Sequence, residues 1–307
     1  LYALIGSNFT KGFFFPKIHD KGQVYPLYRF IGYFAKLPTQ VNFIQFQSPI
    51  ISKISNIINT FKEKTESHIT GIGYANITVS EVEVDRMKEL ILAKPFKSLR
   101  WCNVEPLTSI EDIISEERIQ ECLTYLALDD SKGLNLAGFA SQLHNISVLS
   151  LQDCDLEIVD VFEIIEQPKM LNLSSNLAKR PFSQTILIPP SLQRIDISRV
   201  RFANNVMVNI IEVLISNKYN NGLRLYCDKY YIVDPKEEDT TLDNFANIDA
   251  FDLVDFSWRK NKVTPTLLEF LSRCPNLAKI FFEGNISNKD EMKLVDKLIS
   301  IFPRLRN

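Results

Sequence analysis

The sequence predicts an α/β fold wound as a right-handed βα horseshoe, with a parallel sheet on the concave side and helices on the convex side. A recurring spacing is the first ground. Residues 146–156 read I-S-V-L-S-L-Q-D-C-D-L, which fits the strand-and-turn pattern L-x-x-L-x-L-x-x-N/C-x-L at every position. Twenty-two residues on, residues 168–178 read P-K-M-L-N-L-S-S-N-L-A, with Asn176 where Cys154 stood. A change of period is the second ground. Between these windows apolar residues fall three and four apart, as on one face of a helix.

Taken in order, the first pattern position falls at Val41, Ile69, Phe96, Leu123, Ile146, Pro168, Leu192, Asn220, Phe251, Leu277 and Leu305. The intervals are 28, 27, 27, 23, 22, 24, 28, 31, 26 and 28 residues. The fourth and sixth positions are then Ile44/Phe46, Ile72/Tyr74, Leu99/Trp101, Leu126/Leu128, Leu149/Leu151, Leu171/Leu173, Ile195/Ile197, Leu223/Leu225, Val254/Phe256 and Ile280/Phe282. All are apolar in a chain that is 45% hydrophobic. Two apolar residues separated by one share a face of a short strand, and that face turns inward. Of these, Leu149, Leu151, Leu171, Leu173, Ile195 and Ile197 are expected to form the central core. A polar ninth residue closes the turn after the strand: Asn176 and Asn285 suit this, Cys154 is the thiol version, and Ser131, Val200 and Asp228 stand there in other repeats.

One helix per repeat is expected between strands. Ile50, Ile51, Ile54, Ile57, Ile58 and Phe61 have helical spacing, as do Val84, Met87, Leu90 and Ile91, then Val206, Ile210, Ile211 and Leu214, then Leu294, Leu298 and Ile301. Ser80 with Glu83 has capping-box spacing, and Thr264 followed by Pro265 puts proline at a first helical position. Pro38, Pro95, Pro168, Pro190, Pro275 and Pro303 precede or open the next strand and forbid further helix. The repeats of 22 to 24 residues leave room only for a short helix or an irregular turn.

Such an array is one elongated unit, so residues 1–307 are expected to form a single domain, with 41–307 holding about ten repeats. Residues 1–40 read as a partial first repeat with an aromatic-rich segment, Phe13-Phe14-Phe15-Pro16 and 25–37, whose aromatics are expected to pack inside. Both ends look cut through the array. The formal net charge of −2 gives no reason to expect nucleic acid or an anionic membrane as partner. The run D-P-K-E-E-D at 234–239 reads as a solvated loop. No segment reaches the ~18 to 20 apolar residues of a membrane span. Five cysteines, an odd number without a C-x-x-C pair, point to a reducing compartment and so to the cytoplasm. Against this stand N-x-S/T triplets at Asn8, Asn76, Asn145, Asn172 and Asn285, of which about three are expected by chance.

No set of residues assembles a reaction. His19, His68 and His144 are scattered and lack metal-ligand spacing, so neither metal nor cofactor is expected. Cys154 has a structural reason to be in its turn, and Gly71-Ile-Gly73 lacks the lysine of a phosphate-binding loop. The expectation is a protein that is not an enzyme.

The windows "ISVLSLQDCDL", "PKMLNLSSNLA", "LQRIDISRVRF" and "LAKIFFEGNIS" resemble the leucine-rich repeat superfamily, over all but the first forty residues. The units of 26 to 28 residues look like the helical class of ribonuclease inhibitor and the actin-regulatory CARMIL proteins, and their Asn- and Ile-rich character resembles protist versions. The resemblance implies a scaffold that binds a protein partner, with a CARMIL-like cytoskeletal regulator or a GTPase activator as alternatives. Outward residues at the third, fifth and seventh positions should line up across strands ~4.8 Å apart. The expected fifth-position row is Gln45, Gly73, Arg100, Ala127, Ser150, Asn172, Asp196, Arg224, Asp255 and Phe281, flanked by Tyr125, Arg194, Tyr226 and Lys279. Arg and Tyr dominate interface energetics, so the expected contact set is Arg100, Tyr125, Arg194, Asp196, Arg224, Tyr226 and Asp255.

Overall fold

Strand after strand pairs in parallel with its successor in the next repeat, as expected of βα units. The structure, a computed structural model, describes residues 12–15, 43–46 and 70–300, apart from 184–185, 187, 217–221, 233–239, 250–251, 285–291, 294–295 and 297–298. The expected helix over 50–61, the helical residues Leu294, Leu298 and Ile301, segment 25–37, loop 234–239, the Asn285 turn and both chain ends lie outside the described residues. The chain divides into two compact units, Leu1–Leu149 and Ser150–Asn307.

In the first unit β1 (Gly12–Phe15), β2 (Phe43–Phe46), β3 (Gly71–Thr78), β4 (Ser98–Glu105) and β5 (Tyr125–Ala127) are successive parallel neighbours. Ile44, Ile72, Leu99 and Leu126 stand opposite one another, so the predicted fourth positions are in register. Tyr74 and Trp101, two sixth positions, are buried and meet edge to face at 5.4 Å. Helix α1 (Glu81–Leu92) starts at the predicted capping box: the Ser80 backbone N–H and hydroxyl both donate to the Glu83 carboxylate, at 2.6 and 2.8 Å. Its expected face, Val84, Met87, Leu90 and Ile91, is buried. Shorter helices α2 (Ser109–Ile114) and α3 (Glu117–Cys122) lie between β4 and β5. In the next, 23-residue interval, only 3-10 turns form, at Leu136–Gly138 and Ala140–Gln142.

The division falls at β6 (Val148–Ser150). The second unit continues with α4 (Ile158–Ile164), β7 (Met170–Asn172), β8 (Leu177–Ala178), β9 (Arg194–Asp196), β10 (Arg201–Phe202), α5 (Val206–Ser216), β11 (Leu223–Tyr226) and β12 (Tyr231–Ile232). It ends with α6 (Thr241–Asn244), β13 (Leu253–Ser257), α7 (Pro265–Arg273) and β14 (Lys279–Phe281). Strands β7, β9, β11, β13 and β14 are successive parallel neighbours, and β8, β10 and β12 form a small second sheet beyond the turns. Thr264 caps α7 by accepting from the Leu267 N–H at 3.3 Å, with Pro265 at its first position as expected.

The six expected core residues, Leu149, Leu151, Leu171, Leu173, Ile195 and Ile197, are each 2% exposed or less. Two repeats correct the expected register. Leu225 stands opposite both Ile195 and Phe256, and Phe256 opposite Ile280. The fourth and sixth positions there are therefore Leu225/Cys227 and Phe256/Trp258, not Leu223/Leu225 and Val254/Phe256. A shift between Leu223 and Arg224 leaves Val254 as the extra residue on β13, half-buried rather than in the core. Leucines at both 223 and 225 make the two frames equally apolar, so hydrophobicity alone does not choose between them.

This frame holds a further consensus window. Residues 253–263 read L-V-D-F-S-W-R-K-N-K-V, putting Asn261 at the ninth position. Its amide donates to the Cys227 carbonyl at 2.7 Å and its oxygen accepts from the Tyr230 N–H at 2.6 Å. Asn176 does the same for the turn before it: it donates to the Leu151 and Leu173 carbonyls at 2.6 and 3.0 Å and accepts from the N–H groups of Cys154 and Leu156 at 3.0 and 3.1 Å. One wholly buried side chain thus supplies partners to four main-chain groups. Ser131 accepts from the Asn103 N–H at 3.3 Å, whereas Val200 is an apolar residue wholly buried at its turn and Asp228 proves to be a seventh-position residue.

Candidate functional site

The seven expected contact residues fall into two groups, Arg100 and Tyr125 in the first unit and the other five in the second. In the first unit part of the outward face is buried. Ala75, Cys102 and Ala127 form a buried cluster with Tyr125 packed against it. Arg100 is half-buried, its guanidinium 3.8 Å from Asp129, and its Nε has no hydrogen-bond partner among the described residues. The Cys102 thiol donates to the Ala127 carbonyl at 3.6 Å.

Burial, reinforced by the nearby Asp129 charge, pushes the Cys102 thiol up to about 11, the Arg100 charge opposing. Burial also raises the Tyr125 hydroxyl, and in the second unit it raises the Cys227 thiol well above the ordinary thiol range. Such groups favour folding in their neutral forms. For Cys102 the contribution is fully present below the unfolded thiol value near 9 and is lost as pH rises through the folded value near 11. Urea unfolding at pH 10.5 is therefore expected to show a stability lower than at pH 8, by roughly 1 to 2 kcal/mol for Cys102 alone. Cys102→Ala should flatten that dependence, and a parent protein equally stable at both pH values would contradict the assignment.

In the second unit the corrected register redraws the rows. Arg194, Arg224, Asp255 and Lys279 stand side by side in the third-position row. Asp196, Tyr226, Ser257 and Phe281 form the fifth. Arg224 and Asp255 thus leave the expected fifth row, and Tyr226 joins it. Each strand presents its third and fifth residues on the same side, away from the core leucines between them.

The side chains interlock across these rows. The Arg194 guanidinium lies over the Tyr226 ring, 4.2 Å from its centroid, and 3.8 Å from the Asp196 carboxylate. Tyr226 stacks with Phe281 at 6.5 Å, and Arg259 covers the Phe281 ring at 5.0 Å. Arg224 is exposed and sits 3.4 Å from the Asp255 carboxylate. Asp255 itself is only 7% exposed. Its carboxylate is turned to Arg224 and orients that guanidinium. Phe281 and Arg259 were not among the expected contacts. Phe281 stood in the expected row, and Arg259 came within reach only once the frame of β13 moved.

Cys154 is buried, its thiol donating to the Gln152 carbonyl at 3.4 Å, and His144 is exposed. Among the described residues no three His, Cys, Asp or Glu side chains gather as metal ligands. Among them, too, no helix is long and apolar enough to cross a membrane.

No family model matches the sequence, and no curated protein does. Among solved structures, the crystal structure of a TLR13–ssRNA13 complex is similar over 85% of this chain and 42% of that one, with 14% identity and a TM-score of 0.44. The chain therefore spans under half the length of that protein.

Proposed function

We propose that the chain is a non-catalytic, cytoplasmic protein-recognition module, a right-handed solenoid of leucine-rich repeats that binds a protein partner on the outward face of its sheet. The observation that carries this reading is the Arg194–Tyr226–Phe281–Arg259 strip beside the Asp255-oriented Arg224. Arg and Tyr held on a sheet lose little freedom on binding, so their contact energy is spent on the partner rather than on ordering. Solvated sheet faces are ordinarily polar without binding anything. What distinguishes this one is large aromatic area stacked under guanidinium groups rather than short polar side chains.

The test is direct. With a partner isolated by crosslinking from the source cell and then purified, Arg194→Ala, Tyr226→Ala and Arg224→Ala are each expected to weaken binding about tenfold or more. Glu269→Ala, exposed on α7, should leave affinity unchanged. Unaltered affinity in all three sheet variants would overturn the reading.

A further inference from the structure

The turn that follows each core strand passes through a left-handed residue at the eighth pattern position. In the earlier repeats these are Asn76, Asn103, Asp130, Asp153 and Ser175, with φ of 58, 51, 57, 56 and 63°. The next three are Arg199, Lys229 and Lys260, with φ of 58, 53 and 60°, and then comes Gly284 at 76°. The backbone reason is the same throughout. The eighth N–H continues the ladder to the seventh carbonyl of the next repeat: Ser175 to Ser198 at 2.9 Å, Arg199 to Asp228 at 2.7 Å, Lys229 to Arg259 at 2.9 Å. Asn, Asp and Gly tolerate that conformation, whereas Arg and Lys bring nothing that eases it. Three consecutive repeats give up the tolerant types, and strained positions of this kind cluster where a ligand binds.

Those three residues line one cleft of about 420 Å³, wholly within the second unit. Acids line it too, but two are held by the turns. Asp228 accepts from the Ser257 hydroxyl at 2.6 Å and the Arg259 N–H at 2.8 Å, and Asp196 accepts from the Ser198 N–H at 3.1 Å. Among the described residues no ion pair engages Arg199 or Lys229, and Arg199 is exposed. Four basic and three acidic side chains line the cleft, and Arg259 pairs with Asp228 at 4.0 Å and Glu283 at 3.5 Å, so basic groups exceed acidic ones by one.

We propose that this cleft binds an extended acidic segment of a protein partner, its carboxylates set against Arg199, Lys229 and Lys260. The proposal rests on the recognition reading and names the chemistry of what is recognised. Strands ~4.8 Å apart set the outer two bases roughly 10 Å apart, the reach of three residues in an extended peptide. On the cleft wall the Ser198 hydroxyl accepts from the Asp228 N–H at 3.1 Å, which leaves its own proton for a peptide carbonyl, whereas the buried Ser174 hydroxyl donates to Asn172. Interleaved with Asp196, Asp228 and Glu283, the bases suit a segment whose charges are spaced out better than a phosphate chain that carries one on every residue, and single-stranded nucleic acid is the competing outcome of the test.

The experiment uses the full chain and a fluorescein-labelled, extended peptide with glutamate at every third position, read by anisotropy. Binding is expected, weakening with salt, while the same peptide with glutamine or lysine does not bind. The combined variant Arg199→Ser, Lys229→Asn and Lys260→Asn uses residues this chain itself places at that turn. It should lose at least tenfold in affinity with an unchanged or raised Tm, and glycine at all three positions should give the same loss. The proposal falls if the glutamine peptide binds equally, if a single-stranded oligonucleotide binds more tightly than the acidic peptide, if none binds, or if the variants bind like the parent. A partner that needs Arg194 and Tyr226 but is indifferent to the triple variant removes this inference and leaves the recognition reading standing.

Discussion

Leu171→Asp is expected to destabilise the second unit by about 4 to 5 kcal/mol, enough to leave much of it unfolded at room temperature. Leu171 is 1% exposed and stands opposite Ile195, in a layer of aliphatic side chains that offers an aspartate no cation and no hydrogen-bond donor. The carboxylate must either protonate or carry its charge into that layer, and both courses cost several kcal/mol. Urea unfolding followed by circular dichroism measures the loss. Leu171→Met, similar in volume, serves as the comparison and should cost under about 1.5 kcal/mol. An aspartate variant that melts with the parent would mean that this residue does not face the core.

Asn176→Leu is expected to cost about 3 to 5 kcal/mol, more than an ordinary surface substitution by an order of magnitude. The side chain is fully buried and satisfies the Leu151 and Leu173 carbonyls and the N–H groups of Cys154 and Leu156. Leucine is similar in size but partners none of these, and each orphaned buried group costs about 1 to 3 kcal/mol before the turn relaxes. Asn176→Asp keeps an acceptor for the two N–H groups but presents a charge to two carbonyls. Its loss should be at least as large at pH 7 and should shrink as the pH falls and the acid protonates. A leucine variant within 1 kcal/mol of the parent would mean that the turn finds other partners, about one surface-level effect in size.

Hydrophobic spacing made the strands and the core legible where each repeat offers only one apolar frame. Leu149/Leu151, Leu171/Leu173 and Ile195/Ile197 have no competing pair two residues away, and they lie in the core as expected. Leu223, Leu225 and Cys227 offer two frames, as do Val254, Phe256 and Trp258, and there the apolar pattern is silent. What decides is polar. Asn261 closes the turn before it only in the frame that places Phe256 opposite Leu225, so a search for the ninth-position asparagine before the leucines finds the register.

The outward residues were legible by type but not by burial. Asp255 reads as a contact by its position, yet its burial beside Arg224 is a consequence of the neighbouring strands, which no single window contains. Tyr125 likewise packs on the buried cluster of Ala75, Cys102 and Ala127 from adjoining repeats, and Arg100 is half-buried beside Asp129. The basic turn residues were missed for a different reason. Arg199, Lys229 and Lys260 look like unremarkable surface charges until the left-handed backbone shows that Asn, Asp or Ser holds the same place elsewhere.

The central claim is that the outward face of the second unit's sheet is where a protein partner binds, and hydrogen exchange with and without that partner tests it most directly. The N–H groups within the strands are already slowed by the ladder, so the informative probes are the turns and strand ends at 196–200, 226–230 and 257–261. These are expected to gain protection on binding, while α5 (Val206–Ser216) and α7 (Pro265–Arg273) exchange as in the free protein. Protection confined to α5 and α7, with the turns unchanged, would contradict the claim.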